Sequence, residues 1–241
     1  MKKGIKYAVS LLLAAAVSVS SFGVAFAEND PIEVPGDNDD IVAGDGGGSS
    51  GGGFSLSYGH ALDEEEEPFV DVEPDDWFYD YVVYVYKNGY MSGTSETEFS
   101  PNHTLTRGMV ASILYRMEGE PAVEYRDLFT DLEDGQWYTN GMLWAVEEGI
   151  IAGFGDGTCR PEVLITIEQL AAILYRYAGS PTVDEITISH IPGFDNISDY
   201  AVVAMQWADG NGMLRGETLR PGYAASRAEA AMMFTIFDQN K

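Results

Sequence analysis

Residues 129–176 read FTDLEDGQWYTNGMLWAVEEGIIAGFGDGTCRPEVLITIEQLAAILYR. Residues 69–116, FVDVEPDDWFYDYVVYVYKNGYMSGTSETEFSPNHTLTRGMVASILYR, align onto them without a gap. Phe69, Trp77, Gly89, Gly93 and Pro101 fall on Phe129, Trp137, Gly149, Gly153 and Pro161, each pair sixty residues apart. A third copy begins at Phe194, FDNISDYAVVAMQWADGNGMLRGETLRPGYAASRAEAAMMFTIF. It is shorter by two residues before its first helix and by three in its central loop, and Gly212, Gly216 and Pro221 still fall into place. Self-similarity at a fixed period is the signature of a repeat architecture.

Each copy reads as helix, loop, helix. The first helix follows an acidic turn, Asp75-Asp76 before Trp77 in copy one, and stops at a glycine: Gly89, Gly149 or Gly212. The second begins at a hydroxyl N-cap, Thr106, Thr166 or Ser226, and carries apolar residues at helical spacing. Those are Val110, Ile113, Leu114 and Met117 in copy one, Leu170, Ile173, Leu174 and Tyr177 in copy two, and Met233, Phe234 and Phe237 in copy three. Gly119 and Gly179 close the first two. One helix pair cannot enclose its own apolar stripe, so the copies are expected to pack on one another around a shared core. Aromatic first helices (Tyr81, Tyr84, Trp144, Trp207) suit its centre, and Cys159, in the place of Phe99 and Leu219, is expected to be a small core residue.

The rest of the chain is of another kind. Residues 1–27 open on Lys2, Lys3 and Lys6, continue as a short alanine-rich apolar run and end Ala25-Phe26-Ala27, the pattern of a cleaved secretory signal rather than of a membrane span. Residues 28–68 contain PGDNDD, GDGGGSSGGG and DEEEE, too polar to offset chain entropy by burial, and are predicted to be a disordered acidic tether. Two nucleotide- and hydrolase-like glycine motifs at 46–51 lie in that tract, away from any strand-to-helix junction, and carry no weight. Without the leader's three lysines, ten bases face 39 acids, a net charge of −29. Such a chain repels nucleic acid and anionic membrane. The single cysteine precludes an intramolecular disulfide framework, so packing must stabilise the fold.

The copies resemble the S-layer homology domain. The most diagnostic run is GIIAGFGDGTCRPEVLITIEQLAAIL, residues 149–174: a Gly-rich loop, an apolar residue, Pro, and an Ile-Thr-Arg-Ala-Glu-like helix start, for which copy three supplies Ser226-Arg227-Ala228-Glu229. The likeness covers residues 69–241, as repeats at 69–125, 129–184 and 194–241. It implies an all-α pseudo-threefold bundle of three repeats with the first helices central and grooves between neighbours. It implies also non-covalent binding to secondary cell-wall polysaccharide, often one bearing a ketal-linked pyruvate, on a Gram-positive-type surface, with other surface proteins as further partners. No metal or cofactor is expected.

The residues themselves point to the grooves. Arg107 and Arg227 sit just inside a helix N-terminus, where a cation works against the helix macrodipole and an acid would be favoured. A residue placed against local preference suggests a task. An arginine fork beside free helix N–H groups could hold a carboxylate such as a pyruvyl group in two-point contact; the competing expectation is a plain ion pair with one of the many acids. Thr106, Ser226 and Glu229 belong to the same helix starts. Copy two has Thr166-Ile167-Glu168, so at most two sites are fully equipped; Gln169, Gly108 and Met109 also depart from the family pattern. Trp77 and Trp137, matched by Tyr200, could offer a flat face to a sugar ring or belong to the core. Gly93, Gly153 and Gly216 could admit a ligand close to the backbone or simply adopt positive φ. Asp71 and Asp131, with Asn196 in copy three, are expected to brace the turn before the first helix.

Two other functional classes compete. A glycan hydrolase would need a unique carboxylate pair, whereas the acids at matched positions recur like scaffold. A tetratricopeptide-style protein-binding module would lack the repeated Gly loop and terminal arginines. His60, His103 and His190 have no metal-ligand spacing, and no D-x-D-x-D-G calcium loop is present.

Overall fold

A computed structural model of the protein describes residues 69–241; the leader, the tether and His60 lie outside the described residues. Six α-helices follow in pairs: α1 (Tyr79–Lys87) and α2 (Arg107–Met117), α3 (Thr139–Glu147) and α4 (Ile167–Tyr177), α5 (Val202–Gly210) and α6 (Arg227–Gln239). Three short 3₁₀ turns, at Ile188–His190, Phe194–Asn196 and Asp199–Ala201, lead into α5.

The helix ends follow local chemistry. Thr106, Thr166 and Ser226 each accept a hydrogen bond from the amide three residues on (Met109, Gln169, Glu229). Gln169 and Glu229 return the contact to the cap backbone, forming capping boxes that Met109 cannot form. The first helices, by contrast, start at Phe78, Tyr138 and Ala201 with no side-chain cap. Gly89, Gly149 and Gly212 adopt φ of 72°, 70° and 74° just past the first helices, the left-handed turn that ends a helix and that glycine takes without strain.

The repeats are not the packing units. α1 packs on α6, α2 on α3 and α4 on α5, so each second helix lies against the first helix of the next copy and the last copy closes on the first. Gly141 lets α3 cross α2 closely: a Cβ there would lie 3.0 Å from the Ser112 backbone. Aromatic pairs fill the seams, Tyr115 with Trp144 at 5.9 Å and Tyr175 with Trp207 at 5.7 Å between ring centroids. Tyr84 and Tyr90 both donate to Asp238 of α6, at 2.8 and 2.9 Å.

At the centre the residue preceding each N-cap forms a closed backbone ring. Leu105 N–H donates to Ala225 C=O (3.0 Å), Ala225 N–H to Ile165 C=O (2.8 Å) and Ile165 N–H to Leu105 C=O (3.0 Å). All three side chains are fully buried. This corrects the expected arrangement in part. The axis is marked by the starts of the second helices, and α1 is peripheral, burying only Val82 and Val85. Of the four aromatics expected at the centre only Trp144 is buried; Tyr81, Tyr84 and Trp207 are half-buried at the seams. Cys159 is fully buried, as its alignment with Phe99 predicts.

Truncating one of the ring's two large side chains tests this architecture. Ile165→Ala is expected to lower unfolding free energy by about 2–5 kcal/mol in urea titrations, whereas an equivalent change at exposed Val203 should cost less than about 0.5 kcal/mol.

Candidate functional site

The ring sets what happens at each helix start, because it places the N-terminus of each second helix against the loop of the next copy. The amides of Arg107 and Gly108 donate to Val163 and Pro161 C=O at 3.0 and 2.7 Å. Ile167 and Glu168 do the same to Tyr223 and Pro221, and Arg227 and Ala228 to His103 and Pro101. With the third amide held by the cap, these helix starts offer no free N–H in their first three positions, contrary to the expectation from sequence.

What remains is the guanidinium. Arg107 Nε donates to Cys159 C=O (3.2 Å) and its Nη2 to Ala152 C=O (3.1 Å), with the group 5.1 Å from the Phe154 ring. Arg227 repeats the geometry in copy one's loop, Nε to Phe99 C=O (2.7 Å) and Nη2 to Ser92 C=O (2.6 Å), 4.4 Å from the Phe99 ring. Neither forms an ion pair among the described residues, so the competing expectation of an acidic partner is not met. Arg107 is only 6% exposed. Burial is the main cause that lowers both side chains to a pKa of about 10, so both remain cationic at neutral pH. Each is thus a charge fixed by two carbonyls, with no protein partner among the described residues for its Nη1.

Copy two is built differently. Ile167 lines a shallow depression with Met205, Met213, Leu214, Leu219 and Met232, apolar at the N1 position where the other copies carry an arginine, and with Arg215, Arg220 and Glu229 of copy three at its edge. The next residue, Glu168, is buried and accepts from Ser198 N–H (2.9 Å), Ser198 Oγ (2.7 Å) and Tyr200 Oη (3.2 Å), latching the start of copy three.

The remaining predicted residues divide. Trp77 and Trp137 are 36% and 55% exposed, so they are surface aromatics and not core. Arg215 lies 3.8 Å over the Trp77 ring. Thr106 and Ser226 are occupied as caps. Glu229 caps α6 and also takes a 2.6 Å ion pair from Arg220. A Cβ at Gly153 would meet the Phe129 ring at 2.1 Å, and one at Gly93 the Phe69 ring at 2.6 Å, so these glycines admit a ring of their own copy. Gly216 instead needs its φ of 90°. Asp71 accepts the amides of Phe99 (2.8 Å) and Ser100 (2.7 Å), and Asp131 those of Cys159 (2.8 Å) and Arg160 (2.7 Å). They brace the loop before the second helix, where Ser100 and Arg160 take positive φ of 58° and 50°, rather than the turn before the first. In copy three the loop is held instead by Leu219 N–H to Pro192 C=O, at 2.8 Å.

Sequence reasoning missed three cations and one ring. Arg160 stacks 3.9 Å from Phe154, the ring that Arg107 also approaches, and pairs with Asp156 at 2.8 Å. Its hydrogen bonds from Thr158 and Arg160 hold the Asp156 carboxyl down at about 2. Arg215 and Arg220 line the depression that Ile167 faces between copies two and three, and Arg215 also reaches the Trp77 ring of copy one. Only the position of Arg160 and Arg220, just before the repeated proline, could have drawn attention to them. Among the described residues no three His, Cys, Asp or Glu side chains converge as a cation site.

Fold and site define a class: a circularly closed module of three helical repeats with cations fixed in the grooves between them. The sequence model of the S-layer homology domain matches residues 68–108 and 128–171, so copies one and two are S-layer homology domains; copy three shares their geometry. Over 178 residues, 71% of this chain, it is 31% identical to an amylopullulanase of Thermoanaerobacterium thermosulfurigenes, covering 10% of that protein. Over 145 residues, 54% of the chain, it is 33% identical to the surface-layer 125 kDa protein of Lysinibacillus sphaericus, covering 12% of it. A cellulosome-anchoring protein of Acetivibrio thermocellus is 24% identical over 143 residues, 56% of this chain and 32% of that protein. The chain thus spans a tenth to a third of the length of these relatives.

The cysteine offers a direct check on the loop. Burial, with Asp131 beside it, pushes the Cys159 thiol up to about 12, leaving almost no thiolate near neutrality. Native protein at pH 8 is expected to resist iodoacetamide, with full labelling in 6–8 M urea or so once the core opens; rapid native labelling would show that the loop between Asp131 and Pro161 is not closed.

Proposed function

We propose that this is a cell-surface protein whose three repeats anchor it, or partners it carries, to the wall by binding a secondary cell-wall polysaccharide bearing carboxylate groups, pyruvyl ketals being the best match. The leader delivers the chain across the membrane and the mature protein begins near Glu28. The observation that carries the reading is the pair of N1 arginines, Arg107 buried and Arg227 half-buried, each held by two carbonyls of the next copy with no ion-pair partner among the described residues. A fixed cation in a partly dry groove is prepared for an anionic ligand and loses little freedom on binding it. Trp77 and Trp137, exposed beside the grooves, supply apolar faces for sugar rings. Two such grooves on one rigid body, facing a repeating polymer, gain by avidity.

Anchoring rather than catalysis is supported by what the relatives share. An amylopullulanase, a surface-layer protein and a cellulosome-anchoring protein have different names for their work, and each matches this chain over a small part of its length. A segment common to proteins of such different kinds is best read as the part that attaches them.

The test uses purified walls of a bacterium with pyruvylated polymer, before and after mild acid removal of the ketals. The protein should sediment with intact walls and stay in solution with stripped ones. Arg107→Ile/Arg227→Ile, which copies the residue copy two already carries, should keep the helical circular dichroism and lose binding by at least about tenfold, as one charge-assisted contact is worth about 1.5–3 kcal/mol. Undiminished binding of that variant, or of stripped walls, would sink the carboxylate mechanism. Release of reducing sugar from the walls would point to the hydrolase instead.

A further inference from the structure

Each of the three grooves has a guanidinium set on an aromatic ring, but one of them takes it from the opposite wall. Arg107 and Arg227 enter from the N1 position of a second helix and lie near the rings of Phe154 and Phe99. Copy two has Ile167 at N1, and the depression it lines is faced instead by Arg215, from the loop of copy three. Arg215 directly precedes Gly216, the position that Ser92 holds before Gly93 and Ala152 before Gly153. The carbonyls of Ser92 and Ala152 receive Arg227 and Arg107. The loop position that receives a guanidinium in two grooves therefore supplies one in the third.

The two kinds of arginine differ in what they leave free. Arg107 and Arg227 each use Nε and Nη2 on loop carbonyls. Arg215 is exposed, lies 3.8 Å over the Trp77 ring and has no hydrogen-bond or ion-pair partner among the described residues. Glu217, two residues on, does not pair with it, and Glu229 is taken by Arg220 at 2.6 Å and by the start of α6. Stacking on Trp77 orients the Arg215 guanidinium without using any of its N–H groups. The full fork is thus open to a carboxylate in bidentate contact, which a lysine could not offer. Beside it the floor is apolar, with Ile167, Leu214 and Met232 around a cavity of about 20 Å³. That is room for a methyl-sized group and not for a sugar ring. A pyruvyl ketal carries a methyl and a carboxylate on one carbon, so it can set the first on this floor and turn the second to the fork.

From this arrangement we infer that the groove between copies two and three is a third site for a pyruvyl-type carboxylate, with Arg215 as its specificity-determining residue. Arg215 grips the carboxylate, the Ile167 depression takes the methyl, and Trp77 orients the guanidinium. The inference rests on the reading that the module binds a carboxylate-bearing wall polymer, and it adds a site whose cation is replaced from across the groove. Because Arg215 is exposed, its contact weakens as salt shortens the screening length from about 8 Å at 0.15 M to about 3 Å at 1 M.

The experiment titrates the chain from Glu28 onward with a synthetic methyl glycoside bearing one pyruvyl ketal, and with the methyl ester of its carboxyl group. Arginine Nε and tryptophan Nε1 signals are followed by ¹⁵N NMR. The acid is expected to displace Arg215 and Trp77 as well as Arg107 and Arg227, and the ester to leave Arg215 in place. Arg215→Ala should abolish the Trp77 response and weaken binding of purified pyruvylated wall polymer by roughly threefold or more. Arg215→Lys, which keeps the charge and loses the fork, should weaken it nearly as much. Displaced Arg107 and Arg227 with Arg215 and Trp77 unmoved would overturn the third site and leave the wall reading intact. Equal displacement of Arg215 by the ester, or undiminished polymer binding by Arg215→Lys, would overturn the two-point grip. A response at Arg215 and Trp77 alone would uphold this site and remove the N1 arginines from the wall reading. Silence at all three arginines would overturn both.

Discussion

Three backbone hydrogen bonds, from Leu105 to Ala225 to Ile165 and back to Leu105, hold the geometry on which the rest of the molecule depends. They join one residue from each copy at the point where the loop ends and the second helix begins. Because each link runs between copies, the ring fixes the relative height and rotation of all three helix starts at once. The next two amides of each helix then meet carbonyls of the neighbouring loop, and the N1 side chain is delivered into that loop. An amide left without a partner in so buried a place would be costly, so ring, helix starts and loops form together or not at all. That interlock also explains why the packing pairs are α1 with α6, α2 with α3 and α4 with α5: a helix start seated in the next copy's loop carries its helix against the next copy's first helix.

Within this frame the N1 position is where the three copies differ most. A guanidinium taken out of water without a counter-charge works against folding, by several kcal/mol in an unfavourable setting, and two carbonyl contacts offset only part of it. Copy two shows what the frame holds when that burden is absent. Ile167 buries an apolar side chain among methionines, and Glu168 is free to latch Ser198 and Tyr200. The fold therefore accommodates either solution at N1. Where it keeps the arginine, the side chain is tied to two carbonyls of the next copy's loop.

Most of the fold was legible in sequence because repetition supplied three readings of each element. Hydroxyl caps at Thr106, Thr166 and Ser226 and glycine stops at Gly89, Gly149 and Gly212 are local devices, set by residues within a turn of one another. The centre was not legible in this way. The ring is made of backbone groups, which leave no mark on residue identity beyond the apolar character of Leu105, Ile165 and Ala225. The neighbouring loops seated by that ring take the helix-start amides that would otherwise face a ligand. Trp77 and Trp137 showed the limit of periodicity, since an aromatic recurring in every copy reads equally as core or as surface. Gly153 showed the converse: its role is steric, set by the Phe129 ring from the far end of the same copy and so invisible to any local rule, whereas Gly93 is crowded both by the nearby Ser95 and Glu98 carbonyls and by the Phe69 ring.

The pairing of α1 with α6 has a consequence for how such a protein can change. An open solenoid lengthens by one unit at a time, since each addition only moves the end along, and it needs polar caps to finish. A closed circuit counts its members. A fourth copy inserted here would find both faces of every neighbour already taken, and removal of one would leave two unmatched faces across a gap. Variation is consequently confined to substitution within a fixed set of three, with Ile167 beside Arg107 and Arg227 as its visible outcome, or to duplication of the whole circuit.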